Sequence, residues 1–214
     1  MRTNRPHLRA TIALILIPLA WAGCHHQTQP APSQPGPYLP QDSPANCLAN
    51  LRTAYVDRDS TQYNRLFSSD FVFVFAEFGF DPLDPHPAQW GRADERTAAA
   101  HLFASDSVGT IALSWTLSDA VDSGTEYVDT WKVLASAVNL RVDVEQSGTA
   151  RSYRTEGAYA AFYFKSYPSE QAANGRPLWR VWRWKDQPIR FPGSAPADTT
   201  IREAEWGAIK FHFR

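Results

Sequence analysis

Cysteine and excess charge are both scarce in this chain. Its 214 residues include two cysteines, Cys24 and Cys47. Two are too few for a disulfide scaffold or for a zinc site built from cysteine. The 21 Lys and Arg nearly balance the 22 Asp and Glu, for a formal net charge of −1. The chain therefore lacks the basic excess of nucleic-acid-binding proteins, and we expect no nucleic acid partner.

Several sequence motifs that carry chemistry are also missing. The chain has no glycine-rich phosphate loop, no nucleophile elbow and no metal-binding helix motif. The sequence therefore predicts no cofactor and no resident metal. Hydrophobic residues nevertheless make up 43% of the chain and aromatic residues 13%. This composition excludes a disordered or collagen-like chain, and the length favours one folded domain.

The N-terminus has the pattern of a secretory signal. Arg2, Arg5 and Arg9 precede an apolar run over residues 11–20, with no acid among them. A helix that spans a membrane needs about 20 apolar residues, so this run is too short. A basic start, a short apolar stretch and small residues after it are typical of a signal peptide, here residues 1–23.

The end of this signal resembles that of bacterial lipoproteins. Ala22, Gly23 and Cys24 match that pattern, whereas Trp21 replaces a smaller aliphatic residue. The resemblance implies that Cys24 is acylated and attaches the secreted protein to a lipid bilayer of the envelope. The absence of Asp after Cys24 resembles lipoproteins sent to the outer membrane. The same letters also allow cleavage after Ala22, which would release a soluble protein.

A proline-rich tether is expected between the signal and the folded domain. Residues 24–43 contain Pro30, Pro32, Pro35, Pro37 and Pro40 among Gln and Ser, which favours extended chain. The folded domain is then 44–214. If Cys24 is acylated, Cys47 is unpaired and serves as a small apolar residue of the first helix. If it is not, a Cys24–Cys47 disulfide becomes available in an oxidising compartment.

The first part of the domain is predicted to be mainly helical. Ser43-Pro44 favours a helix start, and apolar residues then recur at helical spacing. Asp59 and Ser60 can cap a second, short helix. A strand over 70–75, a proline-containing loop over 79–91 and a helix over 94–104 follow.

The second part has the period of two that is typical of strands. Alternating apolar residues predict strands at the following positions: 111–117, 127–133, 138–144, 152–167 and 178–186. Short turns at 122–124, 147–148 and 174–175 make neighbouring strands antiparallel. Helices gathered at the front then pack on one face of the sheet, which gives an α+β fold.

This order resembles the NTF2-like superfamily, which is shared with the SnoaL-like proteins. The resemblance covers roughly residues 46–186. It rests on the helix 46–58, on Tyr63-x-x-Leu66-Phe67-x-x-Asp70-Phe71, and on Trp179-Arg-Val181-x-x-Trp184-x-Asp186. The tail from Trp206 to Phe211 also looks like that of secreted members. The resemblance implies a cone: N-terminal helices packed on a strongly curved antiparallel sheet, with a pocket between them. The superfamily includes isomerases, dehydratases and non-enzymatic binding proteins, so it implies no single activity.

A ligand-binding face is predicted on the strands. Apolar pockets with a few polar groups are typical ligand sites, and we expect a small apolar ligand here. The expected lining residues are Trp115, Tyr127, Asp129 and Trp131, extended by Tyr159, Tyr163 and Trp182. If Asp129 is buried, its pKa would rise and it could act as a general base. Alternatively, this face points outward, or Asp129 pairs with Arg154 or Arg183.

The histidines and tryptophans each allow two interpretations. His101 on the third helix could reach the pocket as a second catalytic candidate, or it could be an ordinary helix-face histidine. His86 lies in an acidic loop, but a metal site needs three or four converging ligands. Four tryptophans either pack in the core or mark a sugar-binding or homodimer surface: Trp90, Trp179, Trp184 and Trp206.

Three functions follow from these residues. The first is a membrane-tethered, non-enzymatic domain whose cavity binds a small apolar molecule. The second is an interaction module that uses its sheet to form a homodimer or to bind another partner. The third is an envelope isomerase or dehydratase that uses Asp129, with His101 as its partner. We favour a non-enzymatic domain because no motif defines a reaction.

Overall fold

The computed structural model describes residues 37–76, 87–187, 201–203 and 206–214, and gives only the backbone of residue 146 and of 201–203. All of them belong to the larger of two units into which the chain divides, 31–214. The predicted signal peptide 1–23, Cys24 and the tether up to residue 36 lie outside the described residues. Their proposed roles therefore stay predictions.

The helices of the described residues are α1 (Pro44–Val56), α2 (Ser60–Arg65), α3 (Arg92–Ala104) and α4 (Trp206–His212). Helices α1 and α2 begin where the sequence predicts, α3 begins two residues before the predicted 94, and α4 was not predicted. The Ser43 side chain accepts a hydrogen bond from the Asn46 N–H, and Asp59 caps α2 in the same way through Gln62. Both caps satisfy a backbone N–H that the first helical turn leaves free. None of these described helices has the length and apolar character needed to cross a bilayer.

The strands of the described residues form one sheet. They are β1 (Phe67–Val74), β2 (Gln89–Gly91), β3 (Val108–Leu117), β4 (Val121–Asp122), β5 (Trp131–Gln146), β6 (Thr149–Gln171), β7 (Pro177–Gln187) and β8 (Ile201–Glu203). The order across the sheet is β2-β1-β7-β6-β5-β3, with β4 beside β5 and β8 beside β6. Strand β2 lies within the predicted loop 79–91. Residues 77–86 of that loop lie outside the described part.

The predicted antiparallel arrangement is confirmed for most strand pairs, but two pairs are parallel. Strand β1 runs parallel to β7, and β8 runs parallel to β6. Short turns dictate the direction only of strands that follow each other in the chain. Strands β1 and β7 are separated by a helix and several strands, so no turn constrains them. The sheet is therefore mixed and mostly antiparallel.

The prediction of two separate strands at 127–133 and 138–144 is wrong. The chain forms one long strand, β5, that begins at Trp131, while residues 127–130 belong to the preceding loop. The apparent break is a bulge, because Ala137 has a φ of 48° and the register with β6 shifts on both sides of Val138. A bulge inserts an extra residue and bends the strand, which interrupts the alternation seen in the sequence.

The two faces of the sheet differ in what covers them. Phe73, Trp184 and Phe162 lie side by side on neighbouring strands and are fully buried. This inner face packs against α1, α3 and α4. The opposite, outer face carries Lys132, Tyr163 and other residues of alternate parity. Helices on one face of a bulged, strongly bent sheet confirm the predicted α+β fold class.

The last residues of the predicted tether contact the domain. The Leu39 N–H donates to Asn50 Oδ1 at 2.8 Å, and Gln41 Nε2 donates to the Trp179 carbonyl at 2.6 Å. Cys47 is a free, buried thiol whose Sγ lies 3.3 Å from the same carbonyl. Cys47 therefore fills the apolar position in α1 that the sequence predicts, and Tyr38 also packs against the core.

Gly157 is the residue on β6 that allows the bend opposite Ala137. Its φ is 63°, a conformation that costs other L-residues about 1–2 kcal/mol. We expect Gly157→Ala to lower the free energy of unfolding by about 1 kcal/mol, measured by urea denaturation. Gly109→Ala is the matched control, since its added Cβ would meet only the Asp143 carbonyl at 3.8 Å. Equal stability of the two variants would contradict the role assigned to Gly157.

Candidate functional site

Three of the predicted lining residues do come together, on the outer face of the sheet. The ring of Tyr127 packs edge-on against Tyr163, with centroids 4.8 Å apart, and against Trp182, 5.1 Å away. The Arg183 guanidinium and Lys185 Nζ lie 5.0 and 4.8 Å from the centre of the Tyr127 ring. Cations at this distance are attracted to the negative face of an aromatic ring. The loop before β5 is thus held down on the outer face.

Glu126 fixes the same loop by charge. Its carboxylate accepts hydrogen bonds from Tyr163 Oη at 2.6 Å and from Lys132 and Lys185 Nζ, both at 3.0 Å. Partial burial acts to raise the pKa of Glu126. The three donors outweigh it and lower that pKa to about 2. This cluster of Glu126, Tyr127, Tyr163, Trp182 and Lys185 is called the outer cluster below.

The other predicted lining residues do not join these three, and Trp115 lies on the opposite face, so the expected single face is wrong. Trp115 packs on the inner side, 5.8 Å from Trp206. Trp131 lies 6.2 Å from Trp179 at the start of β5, with 42% of its surface exposed. Tyr159 is on the outer face and 56% exposed. The period of two that grouped these residues fails because Tyr127 and Asp129 precede the strand. Their capacity to bind a ligand stays a prediction.

The candidate acid and base are placed apart. Asp129 is exposed, with a φ of 57°, in the loop that covers the outer face. His101 is on α3, and its Nδ1 lies 3.1 Å from the carbonyl of Phe213, beyond α4 on the inner side. The sheet therefore separates the two residues, and they form no catalytic pair. Arg154 lies 3.7 Å from Glu156, and Arg183 stacks on Tyr127.

The remaining predicted positions concern metal and lipid. His86 and Cys24 lie outside the described residues. Within the described part of the chain, no three His, Cys, Asp or Glu side chains are placed to share a metal ion. Trp90, Trp184 and Trp206 are buried in the core, and Trp179 packs against it. These four tryptophans therefore follow the packing interpretation.

The inner side of the cone holds a polar centre that the sequence analysis did not identify. Its first member is Glu95 of α3, which is fully buried. One carboxylate oxygen accepts a short hydrogen bond from Tyr63 Oη, and the other accepts from Trp90 Nε1 at 2.8 Å. A buried carboxylate is expensive unless its oxygens are satisfied, and here donors from two other elements satisfy them.

Lys210 of α4 completes this centre. Its Nζ lies 3.0 Å from both oxygens of Glu95, and the side chains of both residues are inaccessible to solvent. The ammonium group also lies 3.5 Å from the centre of the Phe73 ring and 3.9 Å from that of Trp184. Burial lowers the pKa of Lys210, while the charges of Glu95 and Asp186 act in the opposite direction.

A second buried carboxylate holds the start of α4. Asp186 accepts hydrogen bonds from the Gly207 N–H at 2.7 Å and from Trp184 Nε1 at 3.1 Å. Burial raises the pKa of Asp186 to about 6, although Lys210 and these two donors act to lower it. A cavity of only about 10 Å³ lies between Asp186, Trp206 and the adjoining strands. It has room for about one water molecule and not for an apolar ligand.

The sequence analysis did not predict this polar centre, although several of its residues belong to the motifs named there. Tyr63, Trp184, Asp186 and the Trp206 tail stood in the motifs that carried the resemblance, where they were interpreted as packing residues. Glu95 and Asp186 stand among other charged residues of α3 and β7. The available signal was Lys210, a charge within the mostly apolar tail. Their convergence required the fold, since Lys210 is 115 residues away from Glu95.

Comparisons with known proteins give similarity in fold. No protein-family model and no curated protein matches the chain. Similar solved structures include a conserved protein from Planctomyces limnophilus (14% identity, 68% of this chain and 92% of that one, TM-score 0.48). An NTF2-like protein of unknown function in nutrient uptake from Rhodospirillum rubrum is 18% identical, over 69% of this chain and 99% of that one, with a TM-score of 0.42. A ketosteroid isomerase-like protein from Erwinia carotovora atroseptica is 13% identical, over 69% of this chain and 94% of that one, with a TM-score of 0.45.

At these identities the likeness concerns the fold alone, and the printed activities belong to those proteins. The architecture of the chain itself has the plan that residues 46–186 resemble: two front helices, a strand, a third helix and a bent sheet. The fold is α+β, with helices on one face of a bent, mostly antiparallel sheet, as the resemblance to the NTF2-like superfamily implies. Helix α4, which includes the Trp206 tail of that resemblance, packs against the inner face of the sheet.

The outer cluster predicts a dependence of stability on pH. The pKa of Glu126 is lower in the folded chain than its ordinary value of 4.5. The ionised carboxylate therefore makes its full contribution to the free energy of unfolding above pH 4.5. That contribution is lost as the pH falls from 4.5 towards 2. We expect Glu126→Gln to lower the urea midpoint at pH 7 and the difference from wild type to shrink over this range.

The matched control for Glu126 is its exposed neighbour Asp129. We expect Asp129→Asn to leave the urea midpoint at pH 7 unchanged, since Asp129 is exposed in the same loop. A constant difference between wild type and Glu126→Gln from pH 7 to pH 2.5 would contradict the role given to the Glu126 carboxylate.

Proposed function

We propose that this protein is a non-enzymatic NTF2-like interaction module, attached to the bacterial envelope through acylated Cys24, whose outer sheet face binds a second copy of the chain. The observation that carries the non-enzymatic part is that the buried charges of the described interior already have partners within the chain. Glu95, Asp186 and Lys210 are the buried charged residues of the described part, and each is satisfied by side-chain or backbone groups. Substrate would have to displace α4 before it reached them.

The outer face supports an interaction role. Leu134 of β5 and Tyr159 of β6 project from it with 46% and 56% of their surface exposed. Leu134 pairs with Ala161, two residues from Tyr159, so the two side chains are near neighbours on this face. Exposed apolar side chains that lie close together favour protein contacts.

The charges around this pair suit self-association. Lys132, Lys165 and Lys185 lie on the outer face together with the acids Asp70 and Glu126. A two-fold dimer presents the same surface from both sides, so charges within the contact attract each other only if one patch holds both signs. This patch provides them, which is why a second copy is the proposed partner.

The membrane part of the proposal rests on the sequence around Cys24. Cys24→Ser is expected to abolish incorporation of labelled palmitate and to move the protein from the membrane fraction to the soluble fraction. Cys47→Ser is the matched control. Its hydroxyl can replace the buried thiol beside the Trp179 carbonyl, so it should keep both the label and the membrane attachment. Membrane attachment that persists in Cys24→Ser would refute the anchor.

Self-association is tested by sedimentation of the mature chain carrying Cys24→Ser, so that acyl chains do not contribute. We expect a dimer at micromolar concentration. Leu134→Glu or Tyr159→Glu should weaken it at least tenfold, because each places a charge in the contact. Val56→Glu is the control, since Val56 is 40% exposed but lies on α1. A monomer at every concentration, or equal weakening by Val56→Glu, would refute the proposed dimer.

A further inference from the structure

The ammonium group of Lys210 lies in a site with the features of a ligand cage. Two carboxylate oxygens of Glu95 contact it at 3.0 Å, and the rings of Phe73 and Trp184 lie within 4 Å of it. The ring of Trp90 is 5.8 Å away. An anion combined with aromatic faces around a desolvated cation is the arrangement that recognises alkylated ammonium ligands.

The cage is assembled from elements other than α4. Glu95 comes from α3, Phe73 from β1, and Trp184 from β7. Tyr63 of α2 and Trp90 of β2 hold the Glu95 carboxylate from the far side. Lys210 contributes only the cation. The anion and the aromatic walls therefore belong to the body of the cone, and the cation comes from the C-terminal helix.

Helix α4 fits the interior closely along its length. Trp206 packs edge-on against Trp184 at 4.2 Å, and its Nε1 donates to Tyr55 Oη at 3.1 Å. A Cβ on Gly207 would lie 2.7 Å from Phe75 Cδ1 and 2.9 Å from Phe73 Cε1, so only glycine is accommodated without movement. Asp186 binds the N–H of Gly207. These contacts place the Lys210 side chain so that its end reaches the cage.

We propose that the interior of the cone is a binding site for a primary alkylammonium group, and that Lys210 occupies it as a ligand supplied by the chain itself. A primary ammonium has three N–H donors. The two oxygens of Glu95 take part of this capacity, and the rings of Phe73 and Trp184 face the rest. The site therefore selects a charged amine over a neutral group of the same shape. The inference depends on neither the lipid anchor nor the outer face.

The test removes the internal ligand and supplies an external one. Lys210→Ala in the full chain deletes three methylenes and the ammonium, which together correspond to n-propylammonium. We expect n-propylammonium to raise the thermal midpoint of Lys210→Ala by about 3–6 °C at ten times its dissociation constant. It should leave the wild type unchanged, because Lys210 already fills the site.

Three controls separate recognition of the amine from nonspecific effects. Sodium chloride at the same concentration controls for ionic strength, and 1-propanol controls for filling the vacated apolar space. Glu95→Gln combined with Lys210→Ala removes the anion, so the amine should no longer raise the midpoint. A rise of equal size with 1-propanol, with sodium chloride, in the wild type or in the double variant would overturn the proposal. So would the absence of any rise in Lys210→Ala.

The test remains decisive if the Lys210→Ala variant does not fold without added amine. The yield on refolding with n-propylammonium is then compared with the yield with 1-propanol. A higher yield with the amine supports the proposal, and equal yields overturn it. Lys210→Met gives an independent readout, because it keeps the apolar chain and loses the charge. Its midpoint should lie below that of the wild type and should rise when Glu95→Gln is added, whereas a Lys210→Met midpoint at or above the wild-type value would overturn the proposal.

Discussion

The ion pair between Lys210 and Glu95 is the contact on which the interior of this protein depends. Both groups are removed from water, and transfer of a single charge into such surroundings costs several kcal/mol. The cost is offset because both oxygens of Glu95 meet Nζ, while Tyr63 and Trp90 satisfy the same carboxylate from the other side. Loss of either partner would leave the other charge buried alone.

This constraint explains why the C-terminal helix belongs to the core. Helix α4 has seven residues, which is too short to be stable in water without tertiary contacts. It is held by the ion pair, by Asp186 at its start, and by Trp206 against Tyr55 and Trp184. Beyond α4, Arg214 donates to Asp94 of α3 at 2.6 Å. The helix thus packs between the sheet and α3.

The buried charges of the described interior have partners within the chain, and the proposed function therefore uses the outer face. There the loop before β5 covers Tyr163, and Glu126 and Tyr127 hold it through two lysines and Arg183. The outer cluster was found in part from the sequence, because Tyr127, Tyr163 and Trp182 were expected to lie together. They do so on the face opposite to the one that would line a pocket. Alternation shows which residues share a face, but it does not show which face receives the helices.

The sequence by itself determined the starts of α1 and α2, most strands and the α+β class. These follow from local signals: Ser43 and Asp59 as caps, and apolar residues at periods of 3.6 and two. The tertiary structure alone decided the parallel pairing of β1 with β7, the bulge at Ala137, and the burial of Lys210 against Glu95. Each of these joins residues far apart in the chain or depends on a backbone angle. Local patterns carry no information about such contacts, because only the packed chain brings the partners within reach.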